Sequence, residues 1–242
     1  MRTKARRRRV LAATMLVIAL GVMIVTRPDN YQTVPVPSTA PPSAAVETSN
    51  SLARTALDAL PVKGRAPTTG YKRTQFGDGW QTISGCDTRN IILARDMIDE
   101  IVSDDCKVMS GVLHDPYTGR EITFVRGADT SQEVQIDHVV ALSDAWQKGA
   151  QQLTEKERIT LANDPLELLA VEGAANQQKS NGDAATWLPS NKAFRCQYVA
   201  RQIAVKVKYT LWVTSAERDA MLRVLAGCPG QTLPLVSKSG HE

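Results

Sequence analysis

The sequence predicts an α+β domain, mainly helical and stapled by disulfides. Three observations lead there. Apolar side chains recur at helical spacing over several segments, notably 88–103, 192–212 and 215–226. Strand patterning is confined to short stretches within 111–126, 134–140 and 166–171. Four cysteines, Cys86, Cys106, Cys196 and Cys228, lie beyond the opening fifty residues of the 242-residue chain. An even number so placed fits two disulfides formed in an oxidising compartment.

The opening residues do not read as core. Residues 1–9, MRTKARRRR, carry six basic side chains and no acid, and Val10–Val25 follows as an uncharged apolar stretch of 16 residues. A cationic cluster ahead of an apolar stretch has the composition of an export signal, not of a half-buried helix. A helix of that length spans about 24 Å, short for a bilayer and long for a cleaved signal core, and no small-x-small site follows it. Residues 1–26 therefore read as a signal peptide or a signal-anchor helix, with the arginines cytoplasmic in either case. Residues 27–50, rich in Pro, Ser, Thr and Ala, read as a linker. The same cluster sets the sign of the net charge. The chain has 29 Lys+Arg against 25 Asp+Glu, and without those six it has 23 against 25. Overall basicity is thus no argument for nucleic acid.

The domain itself is expected over 51–230. Behind Ser51, Leu52, Ala56, Leu57 and Leu60 fall at helical spacing, and Pro61 ends that helix. Residues 61–86 are rich in turns, with Tyr71, Phe76 and Trp80 as large anchors, and read as loop with at most one short strand. Ile91, Ala94, Ile98, Ile101 and Val102 predict an amphipathic helix over 88–103. Residues 111–126 read as a hairpin turning at Asp115-Pro116-Tyr117-Thr118-Gly119. A strand over 134–140, a helix over 142–150 around Trp146 and a helix opened by a Thr154/Glu157 capping box come next. LELLAV, 166–171, is a second short strand, and a short helix follows over 173–181. The helix over 192–212 turns Phe194, Tyr198, Val199, Ile203 and Leu211 inward. The last, 215–226, opens with a Thr214/Glu217 capping box and stops at Gly227, leaving 231–242 as a flexible tail.

Of the three ways to pair four cysteines, Cys86–Cys106 with Cys196–Cys228 is favoured, because each pair brackets one expected helix and its return. A zinc site is the poorer reading, since no CxxC or HxxxH spacing exists and the chain has three histidines.

The stretch with chemistry in it is IDHVVALSDAW, 136–146, followed by NDPLELLAVEGAANQQKSNGD, 163–183. With LPVKGRAP at 60–67, the Tyr71, Phe76-Gly77, Trp80 segment, CDTRN at 86–90 and DPYTG at 115–119, it resembles the HNH nucleases. More narrowly, it is similar to exported proteins built like the C-terminal nuclease domain of the GmrSD-type modification-dependent restriction endonucleases, from Leu60 to Cys228. The resemblance implies a strand–strand–helix (ββα-metal) unit holding one divalent cation. Carried over residue by residue, Asp137 and Asn176 would be metal ligands, His138 the general base and Lys179 a phosphate contact. Glu167 departs from the pattern: relatives carry Asn there, where the side chain helps hold the loop near the base. That change bears on efficiency, not on reaction class.

The chemistry is coherent without the resemblance. Cleaving a phosphodiester requires a deprotonated water, stabilisation of charge on phosphorus and relief of charge on the leaving oxygen. An imidazole with an ordinary pKa near 6.5 accepts a proton at neutral pH. Carboxylate and amide oxygens suit Mg²⁺ or Mn²⁺ and leave positions for phosphate and water. Asp137 and His138 are adjacent, so in a regular strand they point to opposite faces; both can serve one site only where the strand bends or ends. A bland reading stands beside each residue: a satisfied core histidine for His138, a helix start for Asn176, a solvated charge for Lys179. His114 reads as structural, and His241 falls in the tail. Between Ala184 and Ala216 lie Lys192, Arg195, Arg201, Lys206 and Lys208 and no acid. They form a candidate phosphate-backbone track, with Arg195 and Arg201 as substrate contacts, or an ordinary solvated helix face.

The expected function is an exported metal-dependent endonuclease acting on DNA, and on RNA as a second candidate. Little sequence specificity is expected, because no recognition helix or zinc finger is present. Its place would be outside the cell, secreted or anchored to the outer face of the cytoplasmic membrane. A non-catalytic, membrane-tethered binding module that keeps the fold is the rival from another class.

Overall fold

The computed structural model describes residues 52–128 and 130–234. The export signal, the linker, Ser51 and the end of the tail with His241 lie outside the described residues.

Helix α1 (Ala53–Ala59) opens the domain and is followed by a short 3₁₀ turn, Arg73–Phe76. A small antiparallel pair, β1 (Thr82–Ile83) with β2 (Cys86–Asp87), leads into α2 (Thr88–Asp96), capped by the Asp87 carboxylate accepting from the Asn90 amide at 2.8 Å. A three-stranded antiparallel sheet follows, β3 (Met97–Val102), β4 (Val108–His114) and β5 (Glu121–Val125). Then come β6 (Val134–His138), α3 (Leu142–Gln147), α4 (Glu155–Ala162), β7 (Leu168–Glu172), α5 (Gly173–Lys179), α6 (Arg195–Lys208) and α7 (Ser215–Leu225).

β6 and β7 pair antiparallel, Val134 opposite Glu172 through His138 opposite Leu168, and both faces of the pair are covered. On one face Val134, Ile136, Leu168 and Ala170 pack against Ile92, Leu93, Leu113 and Phe124. On the other, Leu169 and Val171 join a larger core with Leu57, Trp146, Tyr198 and Met221. Burial on both sides explains why LELLAV is an apolar run rather than an alternation. It also sends Asp137 and His138, by the period of two, toward different cores.

Beside the apolar packing lies a buried ionic network. Lys148, fully buried, holds Asp144 at 2.8 Å, Asp183 at 2.8 Å and Glu217 at 2.7 Å. Lys206, also fully buried, meets Glu217 at 3.0 Å, and Arg65 reaches Asp144 and Asp183. Three cations face three carboxylates, so no charge is left uncompensated across the junction of α3, α6 and α7.

The cysteines pair as Cys86–Cys106 and Cys196–Cys228, and among the described residues no cysteine is free. The first bond ties the start of α2 to the β3–β4 turn, the second ties the first turn of α6 to the end of α7.

Three expectations need correction. The helix expected over 88–103 ends at Asp96, and Met97–Val102 is a strand. Ile98, Ile101 and Val102 are 48 %, 64 % and 45 % exposed, so they do not form a buried stripe, and β-branched residues beside β4 favour the extended chain. The helix expected over 192–212 is a 3₁₀ turn at Lys192–Phe194 and then α6, which stops at Lys208 because Thr210 takes φ 53°. Packing also runs past 230: Thr232 bridges Leu52, and Leu233 is buried. Among the described residues no helix is long and apolar enough to cross a membrane.

Candidate active site

β6 ends at His138, and within it the pleat turns adjacent Asp137 and His138 toward different cores. Both line a cleft of about 390 Å³ together with Arg73, Gln135, Asn176 and Asn181. Asn176 comes from α5, which Gly173 allows to start immediately after β7. A β-carbon at Gly173 would lie 2.1 Å from the Gln132 carbonyl oxygen, so the chain can cross here only without a side chain.

His138 is buried, and its Nε2 donates to the Ala162 carbonyl at 2.9 Å. That bond places the proton on Nε2 and leaves Nδ1 as the acceptor nitrogen. The ring lies parallel to Trp80, 5.7 Å between centroids and 8° between planes. Burial, reinforced by the charges of Arg73 and Lys179 against the Ala162 bond, pushes the imidazole down to about 3. It is therefore neutral throughout the physiological range.

Asp137 faces the other core. Its Oδ1 accepts from Lys179 Nζ at 2.9 Å and its Oδ2 from the Tyr117 hydroxyl. Burial pushes this carboxyl up, while the lysine and the hydroxyl pull the other way. Lys179 also donates to the His138 carbonyl at 2.8 Å. Expected as an exposed phosphate contact, it is buried instead and acts on Asp137 and on the end of β6. Asn176 donates from Nδ2 to Gln135 Oε1 at 2.9 Å, which leaves its Oδ1 without a hydrogen bond among the described residues.

Glu167 is fully buried one position before β7. Its Oε2 accepts from the Val140 amide at 3.3 Å, its backbone oxygen accepts from Val139 at 2.9 Å, and its Oε1 has no partner. Burial holds its carboxyl well above the usual range, against the pull of Lys179 and the Val140 amide.

Not all expected substrate contacts are brought to the cleft. Arg201 donates to the Leu166 and Pro165 carbonyls at 2.7 and 2.9 Å, clamping the approach to β7. Lys206 is inside the ionic network, and Lys208 pairs with Asp164 at 2.5 Å. Arg195 donates to the Pro189 carbonyl at 2.7 Å and lines a separate groove with Lys192 and Arg223. The basic run is therefore not one track: α6 turns its cations to different surroundings. His114 sits exposed on β4, 3.7 Å from Glu121.

Two residues of this neighbourhood were not picked out as functional in the sequence. Tyr117 is the aromatic inside the DPYTG turn, and Arg73 lies in the turn-rich segment beside Tyr71. The signals that could have found them are an aromatic within an Asp-Pro turn and an arginine between aromatic anchors.

The family model for the C-terminal domain of GmrSD restriction endonucleases matches residues 89–224, more than half of the chain. The chain belongs to that family. An uncharacterized secreted protein of Arthroderma benhamiae is 38 % identical over 197 residues, which cover 80 % of this chain and 92 % of the relative. The GmrSD C-terminal match contains Tyr117, Asp137, His138, Glu167, Asn176 and Lys179, whereas Tyr71, Arg73 and Trp80 lie N-terminal to it.

Asp137 and Asn176 are the side chains of this GmrSD-type domain that could hold a hard divalent cation. Asp137 retains lone pairs beyond the two in use, Asn176 offers a free amide oxygen, and both line the same cleft. Among the described residues no group of three or more His, Cys, Asp or Glu is placed to hold a metal, so a cation here would take most of its coordination from water and phosphate.

Proposed function

We propose that the domain is an HNH-type endonuclease that hydrolyses phosphodiester bonds of DNA, and of RNA as a second substrate, with Mg²⁺ or Mn²⁺. The convergence of Asp137, His138 and Asn176 on one cleft at the β6–β7–α5 unit carries the reading. A bound cation would supply charge stabilisation at phosphorus and at the leaving oxygen, held by Asp137 and Asn176. His138 Nδ1 takes the proton from the attacking water while the Ala162 carbonyl keeps the ring in register. A phosphodiester anion entering beside the imidazole raises its proton affinity from the low value that burial imposes. Lys179 and Tyr117 orient the Asp137 carboxylate and close its inner side.

Export across the cytoplasmic membrane by residues 1–26 fits the two disulfides and the secreted relative. Whether that segment is cleaved or kept as an anchor decides between a free and a tethered enzyme. Incubating the purified protein with plasmid tests the reaction: nicking is expected with Mg²⁺ or Mn²⁺ and none in EDTA. Full activity in EDTA would remove the metal mechanism, and no cleavage with any divalent ion would leave the binding module as the reading.

A further inference from the structure

His138 has a second side, toward Trp80. A slot of about 350 Å³ opens there, walled by Phe76, Trp80, Leu142, Ala162 and the Gly77–Gly79 backbone. It falls at the lower end of the roughly 300–1,000 Å³ typical of small-ligand sites. Arg73 lines both this slot and the Asp137/Asn176 cleft. Arg73 is exposed and makes no ion pair among the described residues. With Lys179 turned inward, Arg73 is the cation among the described residues that lines both spaces. We infer that the slot is a subsite for one unstacked nucleotide, its base against the apolar wall and its phosphate at Arg73 beside His138.

The chemistry favours a nucleotide over a plain anion or a plain apolar group. An aromatic and aliphatic slot takes the flat face of any base, and a guanidinium at its rim takes the attached phosphate. Asp78, the carboxylate lining it, suits a base N–H or exocyclic amine. A base stacked within a duplex cannot enter without leaving the stack, so single strands, frayed ends and melted sites are the substrates this subsite selects.

The inference deepens the nuclease reading and rests on it for the role of His138, but its test needs no turnover. In EDTA, calorimetric titration of the full chain compares thymidine 5′-monophosphate with ribose 5-phosphate. The nucleotide is expected to bind at least roughly 10-fold more tightly, as one stacked base contributes. Trp80→Ala should abolish that preference. Thr74→Phe, which plugs the slot from an exposed position, should do the same without touching the core. Arg73→Ala should weaken both probes alike. Equal affinity for the two probes, or nucleotide affinity unchanged in Thr74→Phe, would overturn the subsite. Plasmid cleavage together with equal affinity for the two probes defeats the subsite and leaves the nuclease. Nucleotide binding without any cleavage supports the subsite and defeats the nuclease.

Discussion

Burial acts on two groups near the end of β6 with opposite consequences for pH. Burial pushes the Glu167 carboxyl well above its ordinary 4.5. The stability it contributes is fully present below that value and is lost as pH rises toward the folded pKa. Glu167→Gln keeps the bond to the Val140 amide and removes the dependence. Its urea midpoint should exceed that of wild type by a margin that grows from pH 5 to pH 8; parallel curves would mean that Glu167 is ionised in the fold. His138 carries the other sign. Its folded value of about 3 lies below 6.5, so its contribution is present above pH 6.5 and is lost as pH falls toward 3. At this scale the resemblance, not spacing, singled out Asp137, His138 and Asn176, and the fold brings the three to one cleft. The burial of Lys179 was not legible. A lysine in a short polar helix reads as solvated, and only tertiary packing shows it paired with a buried carboxylate.

The order β6, β7, α5 places the site, and Gly173 is its narrowest junction. Gly173→Ala drives a methyl into the Gln132 carbonyl, so the start of α5 must move. The expected cost is roughly 1–3 kcal/mol, with loss of plasmid cleavage because Asn176 shifts with the helix. A variant of wild-type stability and activity would show that the crossing is looser than described. Strands and helices of the central unit followed from burial patterns in the sequence, as did both capping boxes. The α2–β3 boundary did not. Ile98 and Ile101 satisfy a helical period and a strand equally, and β4, supplied from elsewhere in the chain, decides between them. The basic run failed for a related reason: spacing along α6 does not say that Lys206 will find Glu217 inside the protein.

For the molecule as a whole, packing is reinforced by covalent and ionic ties. The two disulfides span 20 and 32 residues, and closing loops of that size contributes about 3–4 kcal/mol each through the unfolded chain. Reduction should therefore lower the thermal midpoint markedly, and mass analysis without reductant should find no free thiol among the four cysteines. Lys148→Met leaves Asp144, Asp183 and Glu217 short of their shared cation, and a loss of about 3–5 kcal/mol in urea titration is expected. A smaller loss would mean that Lys206 and Arg65 redistribute to cover the gap. The pairing of the cysteines was legible from spacing, whereas the ionic network was not, because its members are scattered from Arg65 to Glu217.

The most direct test of His138 as the base is the rate of plasmid nicking by His138→Ala beside wild type, at saturating Mn²⁺, with thermal unfolding followed on the same samples. Loss of a general base predicts a rate lower by roughly 10²–10⁴-fold, unrecovered by added metal, in a protein that still folds. A His138→Ala protein that melts with wild type and nicks plasmid at the wild-type rate would contradict the assignment.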